Sequence, residues 1–244
     1  MTTRLVSLVI DGNRPHELAQ FWAELLGWTI THSDEEEVDV EPPEHDGTEL
    51  EFVFGTVPEV KDPTVQNRVH LDLPSTSADD QSAKVDRALA LGARRIDIGQ
   101  HGVPWVVLAD PEGNEFCVLE PRPGYTTTEA VAAIVVDSRD PLALATFWTE
   151  AAGWPIGNQA ERIVGLRAPT GRGPWLEFLR SDEPKSGKNR LHLDIAPFAD
   201  GDEEAEADRL SALGGRRIDI GQGDVAWVVL ADPEDNEFCV LTPR

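Results

Sequence analysis

The chain has 244 residues, 40% of them hydrophobic, and a formal net charge of −24. That charge repels phosphate backbones and anionic lipid, so it argues against nucleic-acid and membrane partners; it favours a cationic ligand, or does no more than keep the protein soluble. The two cysteines, Cys117 and Cys239, occupy the same place in two copies of one segment, which fits free thiols in a reducing cytoplasm, and MTTRLVSLVIDGNRP is too short in its apolar run for a signal peptide or a membrane span.

In chain order, Arg4–Asp11 reads as a strand and Asn13 with Pro15 as a helix start. Leu18, Phe21, Trp22 and Leu25 form one apolar stripe, and Gly27 ends the helix. Strands are expected at Trp28–His32, Val38–Glu41 and Glu49–Phe54, with a turn at Pro42–Gly47. The pattern then restarts. Arg68–Leu73 is a strand, Ser77–Leu91 an amphipathic helix with Val85, Ala88 and Leu89, and Arg95–Ile98, Trp105–Leu108 and Glu115–Leu119 are three more strands. A turn at Asp110–Asn114 joins the last two.

The whole arrangement recurs. RRIDIGQHGVPWVVLADPEGNEFCVL (Arg94–Leu119) returns as Arg216–Leu241 with four differences, so the chain is a tandem duplication. Asp140-Pro141 opens the second copy's helix, with Leu144, Phe147, Trp148 and Ala151 on its stripe and Gly153 at its end. Leu-Glu-Phe occurs in both copies, which aligns Glu51 with Glu177. Phe21 and Phe147 are 126 residues apart, His70 and His192 only 122, and the loss is expected between Phe52/Phe178 and Asn67/Asn189. The domains are then 1–121 (modules about 1–60 and 67–121) and 128–244 (modules about 128–181 and 189–244), with Pro121–Thr128 as linker.

Four β-α-β-β-β modules, FWAELLGW (Phe21–Trp28) and DPEGNEFCVL (Asp110–Leu119) resemble the vicinal oxygen chelate superfamily, in its glyoxalase-like, bleomycin-resistance-related form. The resemblance covers nearly the whole chain. It implies an α+β fold in which paired modules curl a mixed sheet around a cleft. The superfamily includes isomerases, ring-cleaving dioxygenases, thiol transferases and metal-free drug binders, so the fold does not choose among them. In metal-bearing relatives four inward strand positions hold a divalent ion. Carried onto this chain they fall at Ser7, Glu51, His70 and Cys117, and at Ala133, Glu177, His192 and Cys239. Single-copy relatives dimerise, which implies a monomer or loose homodimer for a tandem.

One histidine and one glutamate make a weak site for a hard octahedral ion, whereas a cysteine would complete a set for zinc. Cys117 lies among Phe116, Val118 and Leu119, however, where a free cysteine packs as a small apolar residue. The expectation is therefore no tightly bound metal, with Zn, Fe, Mn or Ni as the alternative at Glu51, His70, Cys117 and Glu177, His192, Cys239. His70 shares a strand face with Asp72, and His192 with Asp194. With Glu51 assigned to the cleft of His70, the cluster serves as a ligand floor, as a catalytic or metal centre, or as a satisfied polar core. Trp105 and Trp227 line the cleft against an aromatic or cationic ligand, or pack in the core. His16, His32, His45 and His101 have no counterpart histidine and read as surface residues; Arg94-Arg95 and Arg216-Arg217 read as rim charges. There is no phosphate loop, serine elbow or CxxC. Two functions remain open: a small-molecule binder of the antibiotic-sequestering type, and a metal-dependent lyase, isomerase or ring-opening dioxygenase.

Overall fold

The computed structural model describes residues 2–43 and 50–244. Most of the turn expected at Pro42–Gly47, with His45 and Glu49, lies outside them. The first copy contains β1 (Thr3–Gly12), α1 (Pro15–Leu26), β2 (Thr29–Ser33), β3 (Glu37–Glu41) and β4 (Glu51–Thr56). It continues with β5 (Val69–Leu73), α2 (Ala78–Ala90), β6 (Arg94–Arg95), β7 (Val106–Ala109) and β8 (Glu115–Val118). The second copy repeats the order as β9 (Ala133–Ser138), α3 (Pro141–Ala152), β10 (Ile156–Gln159), β11 (Ile163–Arg167), β12 (Trp175–Arg180), β13 (Leu191–Pro197), α4 (Glu203–Ala212), β14 (Arg216–Arg217), β15 (Val228–Ala231) and β16 (Glu237–Val240). The strand expected at Arg95–Ile98 is shorter, because Asp97 accepts from the Gly99 amide and turns the chain away.

These strands form two eight-stranded mixed sheets, and each takes one module from each copy. Sheet A runs β14-β15-β16-β13-β1-β4-β3-β2, and sheet B runs β10-β11-β12-β9-β5-β8-β7-β6. The first module therefore joins the fourth, through antiparallel β1 and β13, and the second joins the third, through β5 and β9. Alternation divides each strand. On β5, Val69, Leu71 and Leu73 are buried in the core, and His70 and Asp72 take the opposite face. One continuous apolar core, from Leu5 to Val240, runs through both sheets and the helices behind them.

The acidic turns tie the helices to this frame. Trp22 Nε1 donates to Asp110 at 3.3 Å and Trp148 Nε1 to Asp232 at 3.1 Å, and both indoles are fully buried. Arg14, not Asn13, is the N-cap residue of α1, and it makes no side-chain cap. Asn13 instead donates its backbone N–H to Glu112, in the turn before β8. Glu234 does the same for α3, accepting from the amides of Arg139 and Asp140 and from the Ser138 hydroxyl. Each of these glutamates also meets an arginine of the other copy: Arg190 at Glu112 and Arg68 at Glu234, both at 3.3 Å.

Candidate functional site

The face of each sheet turned away from the apolar core carries the polar residues, most of them buried in a cleft. In sheet B, Asp72 lies between Cys117 on β8 and Ala133 on β9, and His70 lies opposite Val135, which lies opposite Glu177 on β12. Residues opposite one another share a face, so His70, Asp72, Cys117 and Glu177 converge. In sheet A the row is Cys239, Asp194, Ser7 and Glu51, with His192 two residues before Asp194. The grouping expected from sequence is thus corrected: Glu51 sits with His192, Asp194 and Cys239, while Glu177 sits with His70, Asp72 and Cys117.

A second correction concerns Glu51 and Glu177 themselves. Ile10 lies opposite Phe54 and its equivalent Val136 opposite Phe178, an offset of 124 residues rather than 126. Glu177 therefore occupies the place of Val53, and Trp175 the place of Glu51. Two of the four missing residues are lost before β12, not after it. Glu177 faces Val135, whereas Glu51 faces Ser7.

The sheet-B cleft holds a cavity of about 220 Å³. Ile98, Trp105, Val107, Leu119, Ile163 and Leu179 form its apolar walls, and His70, Asp72, Cys117, Asp137 and Glu177 its polar floor. Tyr125, in a 3-10 turn of the segment between copies, donates its hydroxyl to both Glu177 oxygens, at 3.2 and 3.3 Å. Arg122 stacks over Trp105 at 5.4 Å and is held by Glu120 at 2.7 and 3.1 Å. Tyr125, Arg122, Asp137 and Gln66 all line the cavity and were not singled out from sequence; the one available signal was that the chain's single tyrosine falls in the linker. Trp105 is a wall residue, while Trp227 is 41% exposed. His16, His32 and His101 are exposed as expected.

Burial dominates the electrostatics. It pushes Glu177 up to about 7, with the neighbouring Asp72 charge adding to it and the Tyr125 hydrogen bond and Arg122 opposing. Glu51 is also raised to about 7, by burial first and then by the Asp39 charge. Asp72 and Asp137 are raised, again chiefly by burial. The Cys117 and Cys239 thiols are pushed up by burial and by the adjacent Asp72 and Asp194.

His70, Asp72 and Cys117 bring one donor atom each to within 4.8 Å of one another, and His192, Asp194 and Cys239 do the same. The buried Oδ1 atoms of Asp72 and Asp194 and Nδ1 of His192 have no hydrogen-bond partner, and the His70 Nε2–Asp72 Oδ1 separation of 3.8 Å is too long for a hydrogen bond. An N/O/S trio with an unpartnered carboxylate oxygen fits a four-coordinate thiophilic ion with one open position, not a hard six-coordinate one. Ala133 has no donor to add. Donor groups compatible with a divalent ion are therefore present in both sheets.

The glyoxalase-like domain model matches residues 7–119 and again 133–241. The chain belongs to the glyoxalase-like domain family. Its fold is that of the vicinal oxygen chelate superfamily: glyoxalase I from Zea mays superposes with a TM-score of 0.66 at 14% identity, over 99% of this chain and 92% of that one. A candidate dioxygenase from Bacillus subtilis gives 0.61 at 14% identity, over 99% and 85%. No curated protein sequence matches the chain. At these identities the glyoxalase-like chain shares a fold with both structures, and its chemistry has to be argued from its own clefts. No helix among the described residues is long and apolar enough to cross a membrane.

Proposed function

We propose that the sheet-B cleft binds a small organic molecule carrying positive charge beside an aromatic or aliphatic body. One observation carries this reading. Asp72, Asp137 and Glu177 face an apolar-walled cavity, and among the described residues none of them has a lysine or arginine within ion-pair distance. Arg122 and Arg68 offset part of the cost of burying these carboxylates from beyond ion-pair distance, and a ligand cation in direct contact would relieve more of it. The cavity lies below the roughly 300–1,000 Å³ typical of drug-sized ligands, so the enclosed group is smaller than a drug.

The test is thermal. At a hundredfold excess over Kd a bound cation adds about 2.7 kcal/mol, which for a chain of this length raises Tm by roughly 5–10 °C, with no response to chelator. Affinity is expected to fall as pH drops through about 7, where Glu177 takes up a proton and loses its charge. The titratable and charged groups that share the cavity with Glu177 are His70 and Asp72 on β5, Cys117 and the Lys61-paired Glu115 on β8, Asp137 on β9, and Arg122 and Tyr125 of the connecting segment. A Tm unmoved at pH 8 by every organic cation tried overturns the reading.

The His-Asp-Cys trios favour a second reading, a metal-dependent enzyme of the superfamily. A held ion would supply Lewis acidity toward a substrate oxygen, with His70, Asp72 and Cys117 or their counterparts as ligands. Elemental analysis separates the two. The binding reading expects well under one ion per chain after dialysis; near-stoichiometric metal, lost in the His70→Ala, His192→Ala double variant, overturns it and supports the metal-dependent reading instead.

A further inference from the structure

The two clefts differ in how their carboxylates are neutralised. In sheet A, Asp11 is paired with the ammonium of Lys188, and Glu51 lies 3.8 Å from the guanidinium of Arg244. Asp137 is the counterpart of Asp11, and Gln66 that of Lys188, each directly preceding an asparagine, Asn67 or Asn189. Gln66 and Asp137 both line the sheet-B cavity, where the Gln66 amide donates to the Ile98 carbonyl at 3.5 Å and brings no charge. Arg122 is the counterpart of Arg244, and it is already held by Glu120, whose equivalent in the second copy is Thr242. Asp72 at the floor of the same cavity and its sheet-A counterpart Asp194 are alike, each buried with an Oδ1 that has no partner, so the clefts differ at the Asp11–Lys188 and Asp137–Gln66 positions.

From these differences we infer that sheet A carries its own substitute ligand, the Lys188 side chain, and that sheet B takes a free primary ammonium compound in the corresponding place. The inference rests on the cation-binding reading above and narrows it to one cleft and one ligand class. A primary ammonium has three N–H donors to share among carboxylates. Lys188 shows that an ammonium on a four-carbon stem reaches Asp11. A ligand with a comparable alkyl or arylalkyl stem would set its ammonium at Asp137, and its body would lie against Trp105, Ile163 and Leu179. Quaternary ammonium ions, without N–H donors, are expected to bind at least tenfold more weakly.

Isothermal titration of the full chain tests this, with 2-phenylethylammonium and n-butylammonium as probes and 2-phenylethanol and tetramethylammonium as controls. The wild type is expected to bind one equivalent of primary ammonium. Gln66→Lys, which copies the sheet-A arrangement into sheet B, abolishes binding; Lys188→Gln, which copies sheet B into sheet A, raises the stoichiometry to two. Far-UV circular dichroism and Tm confirm that both variants fold. Two equivalents in the wild type, or stoichiometries unchanged by both substitutions, overturn the inference. Binding of tetramethylammonium as tight as that of the primary amines also overturns it, yet leaves the broader cation-binding reading standing. No binding of any cation overturns both.

Discussion

Replacing Glu234 with alanine is expected to lower the unfolding free energy by about 3–5 kcal/mol, the cost of leaving one member of a buried ion pair alone. Glu234 is 8% exposed and Arg68 9%. The carboxylate accepts from the Ser138 hydroxyl at 2.8 Å and from the amides of Arg139 and Asp140 at 2.8 and 2.9 Å, and Arg68 approaches at 3.3 Å. Truncation removes the acceptor for the N–H groups at the start of α3 and strands a guanidinium between the copies. Its remaining bonds, to Asn236, Glu183 O and Asp137 O, carry no compensating charge. Glu234→Gln keeps an acceptor for the amides yet still leaves the Arg68 charge alone, so it should recover only the part of the loss that the amide hydrogen bonds supply. Urea unfolding measures both; a loss under about 1 kcal/mol for the alanine variant would show that the turn does not hold the copies together.

Much of the fold was legible because it is written locally. The stripe of Phe21 and Trp22, the Gly27 stop and the alternation in RVHLDL each involve neighbours within two turns or one strand. Alternation also placed His70 with Asp72 correctly, since the two lie on one cleft face. Two things were not legible. The partner of β1 could be either β5 or β13, whose sequences are near copies, so nothing local says that the chain pairs across its repeats. The Leu-Glu-Phe match misled for a sharper reason. A register change of one residue would have turned Glu177 into the core, but a change of two leaves every side chain on its former face. Leu176 and Phe178 are buried just as Phe52 and Phe54 are, so the hydrophobic pattern is blind to the slip that moves Glu177 beside His70. Tyr125 was hidden by its position in a Pro- and Gly-containing connector, where side chains are not assigned to a cleft.

Cross-copy pairing has a consequence for the isolated half. Residues 1–121, expressed alone, are expected to form a dimer rather than a monomer. Without the second copy, β1 loses β13 and β5 loses β9. Both are interior strands, buried along nearly their whole length, so the half chain would present two apolar edges with unpaired backbone groups. A second half chain can satisfy both edges, because β5 is the counterpart of β13 and can pair with β1 of its partner. Each half also carries the two components of the clamp, since Arg68 is the counterpart of Arg190 and Glu112 that of Glu234. In the dimer Arg68 of each half would meet Glu112 of the other, regenerating the buried pair twice by two-fold symmetry. Light scattering on the eluting peak should give twice the half-chain mass, and Glu112→Ala should dissociate or unfold it. A well-folded monomer would mean that the cross-copy strand pairs are dispensable, and with them the joint construction of each cleft from two copies.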